Sequence, residues 1–187
     1  VNQTGEIESG SFSESAEKVR VKSNAIMLTL SRQMLVNDQL GAIDQVLSSG
    51  GVMVRTWENR KMYELLLSAS GAGPTLITDS VAVFHSTHGN NASSGTAIDV
   101  TNIGLARAAM AKQKTIDGME AGWTPVYLLV GPDKQTQAEQ LLASIAPATN
   151  ATAVPESLRK LTPIMDPNIT GNTWYLVADP SIIANFV

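Results

Sequence analysis

A long stretch of helical periodicity, residues 38–67, sets the strongest limit on the fold of this chain. Asp38 stands where a helix N-cap is expected, and Gly50–Gly51 interrupts the middle of the stretch. Either two helices meet at this pair, or one helix accepts both glycines at about 1 kcal/mol each relative to Ala. We predict one long helix, with a kink allowed at the pair. Its apolar residues recur at a 3.6-residue period and are predicted to be core: Leu40, Ile43, Leu47, Val54, Trp57 and Leu65.

The residues before this helix alternate with a period of two. Basic and apolar side chains alternate over 18–22, and apolar residues alternate with Thr and Ser over 26–31. We predict that residues 1–37 are an extended arm. Two interpretations are open: a frayed N-terminus, or a projecting hairpin whose open edges pair with another chain.

Short elements of both kinds follow the long helix. Breakers at 70–74 end it, and residues 76–84 then have the pattern of a strand, followed by a turn-rich stretch over 88–96. Asp99 or Thr101 is placed to cap a second helix that runs towards Gly118.

The last third of the chain continues this mixture. A continuous apolar run over 126–130 predicts a strand buried on both faces, and Asp133 opens a further helix. Strand candidates at 161–165 and 174–178 flank a turn at 166–172. This order predicts an α+β fold with helices packed on a small sheet.

Composition narrows the classes of function. The chain has no Cys, so a disulfide framework, a thiolate metal site and a thiol nucleophile are excluded. No apolar run approaches the roughly 18 residues of a spanning helix, and we expect a soluble, intracellular protein without a membrane partner. The net charge is −4, and the 13 basic residues are scattered along the sequence. This charge distribution disfavours binding of nucleic acid through its phosphates.

The residues that could carry chemistry are few. The two histidines, His85 and His88, could supply two ligands to a metal, but a catalytic zinc site usually needs a third ligand and a general base. Hydrogen bonding within a turn is the favoured interpretation of this pair. A metal-dependent hydrolase using His85 and His88 is one alternative function. A module that binds a small anion at the turn of residues 131–133 is the other, although Pro132 removes a backbone donor there. No catalytic residue, metal ligand or cofactor is predicted.

Four segments, taken in order, resemble the major head subunits of Mu-like phages and prophages. They are SRQMLVNDQL (31–40), VFHSTHGN (83–90), PVYLLVGP with AEQLL (125–132 and 138–142), and TWYLVADP (173–180). That family is similar to the tailed-phage capsid fold of the Hong Kong 97 type. The resemblance implies an arm (1–37), a peripheral domain with a spine helix and a β-sheet (38–97), a compact axial α+β domain (98–175) and a return to the peripheral domain (176–187).

The function implied by this resemblance is structural. We expect a virion protein, assembled in the bacterial cytoplasm, whose copies form the hexamers and pentamers of an icosahedral shell that encloses DNA without sequence-specific binding. The arm is expected to lie over an adjacent subunit. Its alternation makes apolar contacts the expected role of Phe12, Val19 and Val21, and contacts with acidic neighbours that of Arg20 and Lys22.

Overall fold

The computed structural model describes residues 24–25, 27, 29, 31–36, 41–92, 95–115, 118–143 and 155–181. The described elements, in chain order, are α1 (Arg32–Val36), α2 (Ala42–Leu66), α3 (Ser68–Gly71), a 3-10 turn (Ser86–His88), α4 (Val100–Ala111), β1 (Pro125–Val130), α5 (Pro132–Leu142), α6 (Glu156–Arg159), β2 (Thr162–Met165) and β3 (Trp174–Ala178). Three strands form one small sheet, and helices pack against it. The predicted α+β class is therefore confirmed.

The long helix forms as a single element. α2 has 25 residues and continues through Gly50–Gly51, which confirms one helix in place of two. Its N-cap is Gly41, in the left-handed region at φ 64°, so the prediction of Asp38 as the cap is wrong. Glycine reaches that conformation without steric cost, and the chain can therefore change direction immediately before Ala42. The predicted stop after α2 is confirmed, because Ala69, Ser70 and Gly71 all have positive φ.

The strand predicted over residues 76–84 is wrong. Residues 77–80 form a turn, and the only pairing of this segment is an isolated bridge between Thr75 and Ala82. The physical reason lies at Asp79 and Ser80: the Asp79 carboxylate accepts a hydrogen bond from Val81 N at 3.0 Å, and Ser80 has φ 60°. These local preferences reverse the chain inside the apolar run. Within the described residues, no strand lies between α2 and β1 that could build a peripheral sheet.

β1 is the centre of a three-stranded sheet of order β2-β1-β3. β2 pairs with it in parallel, Leu128 opposite Pro163, and β3 pairs with it antiparallel, Leu128 opposite Leu176. Leu128 and Val130, which share one face of β1, are completely buried, whereas Tyr127 and Leu129 on the other face are partly buried, so the predicted burial on both faces is complete on one face only. The strands at either end of the turn over 166–172 therefore do not pair with each other but enclose β1.

The core lies where this sheet meets α4, α5 and α6. Asp99 caps α4 as predicted, since its carboxylate accepts a hydrogen bond from Asn102 N at 2.8 Å. α4 ends at Ala111, earlier than predicted, because the chain then folds back and Ala121 N donates to Gln113 O at 2.7 Å. The buried cluster consists of Ile98, Ile103, Leu128, Val130, Ala138, Leu158 and Leu161.

The structure bears on two further expectations, which concern the domain boundary at residue 175 and membrane-spanning helices. β3 runs across the domain boundary predicted at residue 175 and keeps its pairing with β1 as far as Ala178. None of the helices in the described part of the chain combines the length and apolar character needed to cross a membrane.

Candidate functional site

One side of α2 carries a row of solvent-exposed apolar side chains. Residues 51–62 of the helix are all exposed, so the prediction that the stripe is core is wrong for the described part of the chain. A Cβ built on Gly50 or Gly51 would meet nothing within 4 Å. Side chains spaced by three, four or seven positions share one side of a helix. The α2 apolar face defined in this way consists of Val46, Leu47, Met53, Val54 and Trp57, which are between 38% and 62% exposed.

An exposed apolar row of this kind is typical of a surface that another protein segment covers. At the C-terminal end of the row, the Lys61 ammonium group lies 5.8 Å from the centre of the Trp57 indole ring. The glycine pair adds a shallow notch in the same region, where the absence of side chains lets another backbone approach.

The C-terminal half of α2 is attached to the sheet through Asp166, the first residue after β2. Asn59 Nδ2 donates to Asp166 Oδ2 at 3.0 Å, and the Tyr63 hydroxyl donates to the same carboxylate. Asn168 N donates to the other carboxylate oxygen at 2.8 Å. Partial burial opposes ionisation of Asp166, but these hydrogen bonds outweigh it and hold the pKa of Asp166 below its usual value. Burial, followed by the nearby charge of Asp166, raises the pKa of Tyr63.

A second attachment joins β3 to the segment that follows α2. The Tyr175 hydroxyl donates to Gly71 O at 3.0 Å, and the Tyr175 and Phe84 rings lie 5.2 Å apart between centroids. Burial raises the pKa of Tyr175. Asp166 therefore connects the long helix to the α+β core beside one edge strand, and Tyr175 connects the segment after the helix to the other edge strand.

The two histidines lie together in a surface loop, residues 79–91, which we call the histidine loop. His88 Nδ1 donates to Val83 O at 3.0 Å, and His88 Nε2 donates to Asp79 Oδ2 at 2.6 Å. His85 Nδ1 accepts from Thr87 N at 3.2 Å. The hydrogen bond between His88 and Asp79 favours the ionised form of both side chains. It lowers the pKa of Asp79 and raises the pKa of His88.

This geometry favours the turn interpretation of the histidines over the metal interpretation. A metal binds an imidazole nitrogen through its lone pair, yet both His88 nitrogens are engaged as donors, and His85 Nδ1 already accepts a hydrogen bond. Within the described ranges, no group of three or more metal-binding side chains comes together.

The turn considered for anion binding is closed by the protein itself. A Cβ on Gly131 would lie 2.2 Å from Ile169 O, so a backbone carbonyl packs directly against this residue at the N-terminus of α5. A carbonyl oxygen presents negative partial charge, which repels an anion. The structure therefore gives no support to the small-anion alternative.

The predicted contact residues of the arm, Phe12, Val19, Arg20, Val21 and Lys22, lie outside the described residues. Sequence reasoning did not anticipate the attachments at Asp166 and Tyr175 or the exposure of the α2 apolar face. The one available signal for that exposure was the glycine pair, because glycine inside a helix is unfavourable unless space or a close approach compensates for it.

Comparison with known proteins gives one positive result. A family model described as phage capsid protein matches residues 14–187. Neither the search of curated proteins nor the search of solved structures found a match. The family match covers nearly the whole sequence, both the described α+β core and α2. The chain thus belongs to the phage capsid protein family and is a structural protein of the phage virion.

Proposed function

We propose that this chain is a shell-forming major head subunit of a Mu-like phage or prophage, and that its copies assemble into the hexamers and pentamers of an icosahedral shell around packaged DNA. The observation that carries the proposal is the α2 apolar face, exposed in a chain whose family builds capsids. Identical subunits in a closed array need only modest individual contacts, because many contacts act together.

The architecture proposed for the subunit is that of the Hong Kong 97 type. α2 is the spine helix of a peripheral domain over residues 38–97, and the three-stranded sheet with α4, α5 and α6 forms the axial domain from residue 98. β3 keeps residues 176–178 in this sheet, and we therefore place the return to the peripheral domain after Ala178. Residues 1–37 are the arm.

In the proposed shell, further strands or the arm of an adjacent subunit pack on the α2 apolar face. Phe12, Val19 and Val21 of the arm supply apolar side chains suited to such a face, and Arg20 and Lys22 supply charge that suits acidic neighbours on a subunit of net charge −4. Complete burial of a Val, Leu or Met side chain contributes about 1.5–3 kcal/mol. Since the side chains of the face are partly buried already, covering them contributes roughly 1 kcal/mol each, before the cost of ordering the partner.

The test compares two substitutions on the same helix. Val54 belongs to the α2 apolar face, whereas Val52, two positions earlier and therefore about 160° away around the helix, does not. Val54→Asp in the full-length head protein should abolish shells, tubes and rings in electron micrographs, because a carboxylate would be buried in the contact. Val52→Asp, at a side chain 69% exposed, is the matched control and should assemble.

Two results would count against the proposal. Normal shells from the Val54→Asp protein would exclude the face as an assembly contact. A full-length wild-type protein that stays monomeric under all assembly conditions would exclude the shell-forming role itself. Separately, normal shells from a protein that lacks residues 1–30 would show that the arm contacts are wrong while leaving the role of α2 intact.

A further inference from the structure

Two hydrogen bonds of the histidine loop depend on the number of protons on the His88 ring, which can change near neutral pH. His88 bonds to two groups that only accept hydrogen bonds, the Val83 carbonyl and the ionised Asp79 carboxylate. A neutral imidazole has one N–H, so it can donate to only one of them. Both bonds at once require the imidazolium form, which carries two N–H groups.

Two side-chain amide contacts of the loop have no titratable group. Asn90 Nδ2 donates to Val83 O at 2.8 Å, and Gln113, after the end of α4, donates to His88 O at 2.9 Å. The ionisable groups facing the His88 ring within the described residues are Asp79 and His85, whose ring centroid lies 6.4 Å away. The Gln113 contact holds the loop to the end of α4, while Asn90 and the His88 ring join residues within the loop.

We propose that the histidine loop is a pH-sensitive clamp, in which protonated His88 bridges Asp79 and Val83, and loss of its proton breaks one of these two bonds and loosens the loop while the sheet remains folded. Because Asp79 raises the pKa of His88, the stabilisation is complete below about pH 6.5, the ordinary value, and is lost as the pH rises through the raised value. On the acid side, Asp79 contributes above its ordinary value of 3.8, and that contribution is lost as the pH falls through its lowered pKa.

Loosening would change a surface loop that contains Phe84, whose ring packs against Tyr175 of β3. The clamp would therefore alter the surface of the subunit without requiring the long helix or the sheet to unfold. This inference does not depend on shell assembly, and it can be tested on the unassembled chain.

The experiment is a pH titration of the ¹⁵N-labelled chain by NMR. The sequence has two histidines, so the two imidazole signals are assigned with the single variant His85→Gln. We expect the His88 signal to titrate with a midpoint above 6.5 and the amide signals of Val81 and Asn90 to shift with the same midpoint. The amides of Leu128 and Leu176 in the sheet should not follow it. A His88 midpoint at or below 6.5, or loop amides that do not move through the His88 titration, would overturn the proposal.

A pair of variants separates the clamp from a general effect of charge. Asp79→Asn should lower the His88 midpoint towards 6.5 and move the loop transition with it, since the carboxylate that favours imidazolium is gone. Asp133→Asn, in the exposed first turn of α5, removes the same charge elsewhere and should leave both midpoints unchanged. Equal effects of the two substitutions would refute the clamp, and the wild-type titration remains decisive if Asp79→Asn does not fold.

Discussion

Replacement of Gly131 by Ala tests the close packing between the start of α5 and Ile169, which lies in the turn between β2 and β3. Gly131 has φ −81° and ψ 168°, an ordinary extended conformation for any residue, so the substitution introduces no backbone strain of its own. The added methyl group would lie 2.2 Å from Ile169 O and 3.0 Å from Ile169 C. The obstacle is a backbone carbonyl and not the end of a flexible side chain, and the chain at Ile169 must therefore retreat by roughly 1 Å to reach normal contact distance.

The cost of that retreat can be estimated from what surrounds Ile169. The Ile169 side chain is completely buried, and the same turn begins with Asp166 N donating to Val130 O at 3.1 Å. Overpacking of a dense site typically costs about 1–3 kcal/mol, while Ala in place of Gly returns about 0.4–1 kcal/mol by restricting the unfolded chain. We expect Gly131→Ala to lower the free energy of unfolding by about 1–2 kcal/mol.

The assay is urea unfolding of the full chain followed by circular dichroism and Trp fluorescence. Gly104→Ala is the matched control, because Gly104 lies inside α4 with nothing within 4 Å of its built Cβ. That substitution should raise the free energy of unfolding by about 0.5–1 kcal/mol. If Gly131→Ala is as stable as the wild type or more stable, the close approach of Ile169 to Gly131 is not a feature of the folded protein.

Two further substitutions probe the attachments of α2. Asp166→Asn should lower the free energy of unfolding by about 1–2 kcal/mol, measured by urea titration at pH 7, since Asn59 and Tyr63 lose an ionised acceptor. Because the pKa of Asp166 is lowered in the folded state, its contribution is present above about pH 4 and lost on acidification, so the deficit should disappear at low pH. A deficit that is the same at pH 7 and at low pH would contradict this assignment. Tyr175→Phe should cost about 1 kcal/mol in the same assay through the lost bond to Gly71 O, and an unchanged stability would show that this bond contributes nothing.

Sequence patterns succeeded where a local rule decides the outcome. The breakers after α2, the Asp99 cap and the apolar run of β1 each depend on residues close together in the chain, and the structure has all three. Patterns failed at residues 76–84, where apolar side chains suggested a strand and the turn chemistry of Asp79 and Ser80 prevailed. They also failed for α2, because periodicity shows which side chains share a face but not what covers that face.

The sequence by itself determined the α+β class, the single long helix, the places of the three strands and, through its resemblance to phage head subunits, the capsid family that the comparison then showed. Only the tertiary structure decided that the strands at 162–165 and 174–178 enclose β1, that Asp166 receives Asn59 from 107 positions away, and that His88 bridges Asp79 and Val83. The physical reason is the distance along the sequence over which each kind of interaction acts. Helix and strand preferences arise from neighbours within a few residues, whereas strand order and polar contacts between distant residues depend on how the whole chain buries its apolar surface.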